Sequence, residues 1–108
     1  MEFLVEFEVR VPEGAAAREV EVRQGAEAVA AARLVDDGQL VRLWRLAAAA
    51  DGNQAVGLYR ADSPAQLDGL LRALPLYDWM RVTVTPLEPH PNDPLSQATM
   101  PATAASRR

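Results

Sequence analysis

Glu27, His90 and the arginines Arg33, Arg42 and Arg45 are the side chains from which this chain would build a site, with Trp44, Tyr77 and Trp79 available as flat apolar walls. A guanidinium fork matches a carboxylate through two parallel hydrogen bonds, so Arg42 and Arg45 are candidates for holding an acidic small molecule. They stand on opposite sides of an extended segment, and one of them faces any given pocket. Pairing with the glutamates near the N-terminus is the alternative use for either. At 100° per residue, Arg33 falls near the middle of the apolar stripe of a helix, where an arginine must be paired or line a cavity. Glu27 falls on the shoulder of that stripe. A carboxyl there is reachable from a pocket and partly desolvated, which raises its pKa; the alternative is a solvated glutamate paired with Arg23 four residues earlier. His90 is the single histidine. Histidine titrates near neutral pH, so it suits proton transfer or carboxylate binding, although an exposed or interface position in its irregular segment is equally compatible. The three aromatics would wall a dry pocket for a planar ring, or serve core and interface.

Composition narrows the classes of function. At 108 residues the chain is one domain in size. Its net charge of -4 argues against nucleic acid as a partner, since phosphate binding needs a basic surface. With no cysteine and one histidine, thiolate catalysis, disulfides and His-rich or Cys-ligated metal centres are ruled out. Acidic residues occupy the segment Met1 to Glu8, where a secretory leader would carry positive charge, and no stretch has membrane-spanning length. The expectation is a cytoplasmic protein with no membrane partner.

The elements that must position these residues follow from periodicity. Phe3, Val5, Phe7, Val9 and Val11 alternate with mostly polar residues, a strand with one face on a core, ended by Pro12 and Gly14. From Ala15 to Asp37, Val22, Ala26, Val29, Ala30 and Leu34 recur at helical spacing, and Gly38 stops the helix. Gln39 to Ala47 reads as a second strand, with Leu40, Arg42, Trp44 and Leu46 on one side and Val41, Leu43, Arg45 and Ala47 on the other. Asp51-Gly52 is a turn signal leading into a third strand, Gln54 to Arg60, so these two strands form a hairpin. Asn53 stands at that turn. Ser63-Pro64 caps a second helix carrying Leu67, Leu70, Leu71 and Leu74, and Pro75 ends it. Arg81 to Leu87 alternates as a fourth strand. The order predicts an α+β, ferredoxin-like βαββαβ domain: a four-stranded antiparallel sheet with both helices on one face, spanning residues 1–94. The C-terminal extension, residues 95–108, has no core of its own and is either flexible or packs across a neighbouring subunit. The open sheet face, carrying Leu4 with Trp44 or Leu43, favours a homo-oligomer.

Leu43-Trp44-Arg45, the segment Leu74-Pro75-Leu76-Tyr77-Asp78-Trp79-Met80 and the pair His90-Pro91, at these separations, resemble the muconolactone delta-isomerase family of aromatic-compound breakdown. The resemblance runs from about Met1 to Pro94. It implies an intramolecular isomerase of the β-ketoadipate route, which moves the ring double bond of muconolactone to give 3-oxoadipate enol-lactone by taking a proton from one ring carbon and returning one to another. Such a shift needs no cofactor. Glu27 falls where the family's first helix carries a glutamate and is the implied base, with His90 of the HP pair as its assistant. Arg45 belongs to the family-like triplet and is preferred over Arg42 for the carboxylate, with Arg33 second to both. Asn53 aligns with a family asparagine that serves either the turn or the substrate. Rings of ten subunits are also implied. The chain departs from the pattern at Ala47-Ala48-Ala49-Ala50, where a Gly-His or similar polar pair is frequent, and at Gly57-Leu58-Tyr59, which replaces a Ser-x-Phe-Asp type of sequence. Those departures keep two alternatives open: a related lactone-processing, for example dehalogenating, enzyme, and an oligomer that binds a small acid without turning it over.

Overall fold

In the computed structural model, which describes residues 1–47 and 53–97, strand β1 (Glu2–Val9) lies at the centre of a four-stranded antiparallel sheet. It is flanked by β3 (Gln54–Arg60) on one side and β4 (Met80–Leu87) on the other, and β2 (Leu40–Arg45) closes the far edge, giving the order β2-β3-β1-β4. Helix α1 (Ala17–Asp36) follows β1, α2 (Pro64–Arg72) follows β3, and a four-residue helix α3 (Pro94–Gln97) comes after β4. This is the βαββαβ, ferredoxin-like arrangement expected from the order of periodic segments. The Asp51-Gly52 turn, Ala48 to Ala50 and the chain beyond residue 97 lie outside the described residues.

One face of the sheet makes the core. Phe3, Val5 and Phe7 of β1 and Tyr59 of β3 are buried against Leu34 of α1 and Leu67 and Leu71 of α2. Period-two alternation puts Leu4, Glu6 and Glu8 on the other face, beside Leu58, Val56 and Gln54 in register. Both helices owe their ends to local chemistry. Gly38 adopts φ +73° and its N–H bonds to the Val35 carbonyl, while the Gln39 N–H bonds to that of Leu34. This pair satisfies the last carbonyls of α1, and the positive φ favours glycine. At the start of α2 the Ser63 hydroxyl accepts the Gln66 N–H at 3.1 Å, with Pro64 at the first helical position, where its missing N–H costs nothing.

Two expectations about facing are corrected. The strict alternation read through β2 breaks at a bulge between Leu40 and Arg42. An extra residue in one strand resets which face its neighbours take. Leu40 therefore pairs with Tyr59 on the helix side, while Arg42 and Trp44 pair with Leu58 and Val56 on the open face, and Leu43 and Arg45 pair with Gly57 and Ala55 on the helix side. In α1 the inward face is not the valine stripe. Val22 and Val29 are 62% and 56% exposed, and Arg33 is exposed with them. The residues turned toward the sheet are Val20, Arg23, Glu27, Ala30, Ala31 and Leu34. The helix is rotated by about a quarter turn from the orientation its valines suggest, since at 100° per residue Glu27, not Arg33, stands mid-face.

Candidate active site

Glu27 and the turn after α2 are joined by polar contacts that explain each other. Pro75 ends α2, and the chain then makes a 3-10 turn (Tyr77–Trp79) before entering β4. That turn leaves backbone groups pointing at α1. The Leu76 N–H donates to Glu27 Oε1 at 3.0 Å, and the Pro75 carbonyl accepts from Arg23 Nη1 at 3.2 Å. The Arg23 guanidinium also lies 4.4 Å from the centre of the Trp79 ring, a cation–π contact that holds this buried indole in place. Arg23 and Glu27, one helical turn apart, thus clamp the Leu-Pro-Leu segment. They do not pair with each other: the acidic partner of Arg23 is Glu19, at 3.8 Å.

Glu27 is half-buried and stands at the wall of a cavity of about 350 Å³ between α1, the sheet and the Leu74–Met80 segment. Phe7, Ala31, Leu43, Leu74, Leu76 and Met80 make most of its surface apolar, and Gln24, Glu27 and Tyr59 bring the polar side-chain groups. Burial pushes the Glu27 carboxyl above the ordinary carboxylate range, and the Leu76 N–H, which favours the charged form, offsets part of that rise. A carboxylate in such surroundings is a stronger base than one in water, with its second oxygen Oε2 accepting no hydrogen bond from a described residue. Proton abstraction from a carbon acid bound in a dry pocket is the chemistry this arrangement can perform.

The other candidates are distributed unevenly around it. Arg45 is exposed at the end of β2 but shares the cavity's face of the sheet, one alternation beyond Leu43. Arg42 and Trp44 lie together on the opposite face, the guanidinium 4.8 Å from the ring centre, and Trp44 is 42% exposed. Arg33 is on the outer side of α1. Tyr77 and Trp79 buttress the turn, held by Arg72 at 5.7 Å and Arg23 at 4.4 Å, behind the cavity rather than in its wall. His90 is exposed beyond β4, with its Nδ1 accepting the Asn92 N–H at 2.9 Å. Asn53 ties β3 to the end of β1: its Nδ2 donates to the Val9 carbonyl at 2.7 Å, and its backbone carbonyl accepts the Val9 N–H at 2.9 Å. Within one chain, then, Glu27 and Arg45 share a face, while Arg42, Trp44, Arg33 and His90 are turned elsewhere.

Three features of the site are not visible as motifs. Gln24 and Tyr59 line the cavity, and the Leu76 N–H is a backbone group. The first two are ordinary residues of a helix and a strand. Their only sequence signal is that both fall on the inward faces once the α1 rotation and the β3 parity are known.

Fold and site together define a small ferredoxin-like α+β protein that holds a carboxylate at the wall of a largely apolar pocket. The profile of the muconolactone delta-isomerase family matches residues 1–93, and the chain belongs to that family. It is 33% identical over 96 residues to Muconolactone Delta-isomerase 1 of Acinetobacter lwoffii, covering 85% of this chain and 93% of that protein. A crystal structure of muconolactone isomerase superposes with a TM-score of 0.78 at 27% identity, over 85% of this chain and 93% of the other. The 5-chloro-2-hydroxyhydroquinone dehydrochlorinase of Burkholderia phenoliruptrix shares the fold, with a TM-score of 0.58 at 15% identity, over 83% and 96% of the two chains. Membership places the chain in an isomerase family acting on a small molecule. No helix among the described residues is long and apolar enough to cross a membrane.

Proposed function

We propose that this protein is an intramolecular isomerase that shifts the ring double bond of muconolactone to give 3-oxoadipate enol-lactone. The observation that carries the reading is Glu27: a half-buried carboxyl with raised pKa, oriented by the Leu76 N–H, at the wall of an apolar cavity of about 350 Å³. In an unsaturated lactone, the ring proton lost lies one conjugated double bond away from the carbonyl. When Glu27 takes it, the electron pair runs through the double bond to the carbonyl oxygen; when the pair returns, Glu27 gives the proton back at the carbon beside the carbonyl. One carboxyl serves both steps, because the proton it takes is the proton it returns. The apolar wall keeps water from quenching the intermediate.

Arg45 is the proposed partner of the substrate carboxylate, because it extends from the cavity's side of the sheet. Arg42 and Trp44 serve instead on the open face. That face, with Leu4, Val56, Leu58 and Trp44 across three strands, is the proposed contact with further copies of the chain, and His90 would act there or at a neighbour's site. The reading is tested by following loss of the muconolactone chromophore with the wild-type protein and Glu27→Gln. Turnover that falls by several orders of magnitude in the variant, with the fold intact, supports it, and full activity in the variant removes Glu27 as the base.

A further inference from the structure

Proton abstraction by Glu27 sends a negative charge to the lactone carbonyl oxygen, and the carboxyl, then neutral, keeps its one proton for return to carbon. A second group must face the same cavity with a proton to share. Tyr59 lies on β3 with its ring buried, 3% exposed, and tilted against Phe7 at 6.0 Å between centroids. A phenol buried in this way ordinarily finds a hydrogen-bond partner. Its hydroxyl has none among the described residues. Tyr59 and Glu27 line the same cavity, close enough for the Glu27 charge to act on the phenol.

What aims the ring is an absence. Gly57 precedes Tyr59 by one alternation, on the same face of β3. A Cβ on Gly57 would lie 2.5 Å from Tyr59 Cε1 and 3.1 Å from Cδ1, with Leu43 Cδ1 at 3.4 Å. The ring leans back along the strand over the space a side chain would fill.

We propose that the Tyr59 hydroxyl is the oxyanion donor of this site, aimed by Gly57, and that it hydrogen-bonds the carbonyl oxygen of a cyclic enolisable ester or ketone as charge develops there. The inference rests on the isomerase reading and names the group that reading lacks. Electrons and protons balance without a further reactant. The C–H bond breaks to Glu27, the C=C and C=O pairs shift to leave an enolate oxygen, and Tyr59 shares but keeps its proton. The enolate then collapses, and Glu27 returns its proton to carbon. Burial, and then the charge of Glu27, push the Tyr59 pKa up to about 12, so the donor keeps its proton at any working pH.

The test compares wild type, Tyr59→Phe, Gly57→Ala and Glu27→Gln with muconolactone as substrate. Removing one oxyanion donor is expected to lower kcat about 10²–10³-fold with KM changed far less. Gly57→Ala, which keeps the hydroxyl but displaces the ring, is expected to lower kcat in the same direction. A second readout does not depend on turnover. In a Tyr77→Phe background Tyr59 is the one remaining tyrosine, since the chain has two. Its ultraviolet titration is expected near 12 and is expected to fall when Glu27→Gln is added. Tyr59→Phe within about threefold of wild type, with Glu27→Gln inactive, overturns the inference and leaves the isomerase reading standing. So does a Tyr59 that titrates at the ordinary tyrosine value of 10, as a solvated phenol would. Full activity of Glu27→Gln, or no turnover by wild type, overturns the isomerase reading and this inference with it.

Discussion

Arg23→Ala isolates the clamp between α1 and the Leu-Pro-Leu turn. The guanidinium supplies one charge-assisted hydrogen bond to the Pro75 carbonyl, a cation–π contact with Trp79 and a long ion pair with Glu19. Hydrogen bonds from charged groups contribute about 1.5–3 kcal/mol, and the lower end applies here because the side chain is 31% exposed. The stacked guanidinium adds about 0.5–1 kcal/mol, and the ion pair at 3.8 Å less than about 0.5 kcal/mol. The expected loss is about 2–3 kcal/mol, which in a domain of this size lowers Tm by about 10–20 °C. Urea denaturation and thermal melts of wild type, Arg23→Ala and Arg23→Lys measure it, and lysine, which keeps the charge but not the planar stack, should fall between the two. A double-mutant cycle with Trp79→Leu should return a coupling of about 0.5–1 kcal/mol. The loss should also reach the site. With the turn loosened, the Leu76 N–H holds Glu27 less well, and the acid limb of the activity profile moves to higher pH. A Tm within about 3 °C of wild type, together with an unmoved acid limb, would refute the clamp.

Further outcomes follow from the same contacts. With Glu27 as the proposed base, activity should rise with pH through its raised pKa, and the titration midpoint of kcat/KM against pH should lie above the ordinary value of 4.5. Stability should move the opposite way: between 4.5 and the folded pKa the native protein holds a proton that the unfolded chain has released, so urea midpoints should fall as pH rises through that window, and Glu27→Gln should abolish this limb. Leu71→Ala, at a position 2% exposed between α2 and the sheet, should cost about 2–5 kcal/mol in urea denaturation. Trp44→Glu on the open sheet face should leave each chain folded by circular dichroism while lowering the mass measured by light scattering; a wild-type monomer would remove the proposed role of that face.

The fold was legible because four of its signals are local. The alternation of Phe3, Val5 and Phe7, the Ser63-Pro64 cap, the Gly38 stop and the Pro75 break each depend on a few neighbouring residues, and each appears where the sequence puts it. Of the candidate site, the sequence singles out Glu27, which lines the cavity, and less of its surroundings, for two physical reasons. In α1 alanine is so abundant that the apolar moment is weak, and the exposed valines outvoted the true inward face. That face contains Arg23 and Glu27 because the turn after α2 offers each a backbone partner, information that lies some 50 residues away along the chain. In β2 the bulge between Leu40 and Arg42 puts Leu40 on the face opposite Arg42 and Trp44, and no single residue there announces it.

The distinctive motif and the proposed base are therefore different parts of one device. The Leu74-Pro75-Leu76 turn carries no catalytic side chain; its contribution is one carbonyl and one N–H, aimed at α1 because Pro75 stops the preceding helix at that point. The N–H fixes one oxygen of Glu27 and limits how far burial can raise its pKa, so that the carboxyl remains ionisable in an apolar wall. A backbone donor does this without adding a charge to the cavity. A lysine or arginine at the same place would hold the carboxylate more tightly, lower its pKa and make it a weaker base. Arg23 is instead kept one turn away, occupied by Pro75 and Trp79, where it secures the turn and leaves the carboxyl without a counter-ion. The motif is thus constrained by backbone geometry, and the helix by the placement of two charges, which is why the most recognisable segment of the chain and its proposed base do not coincide.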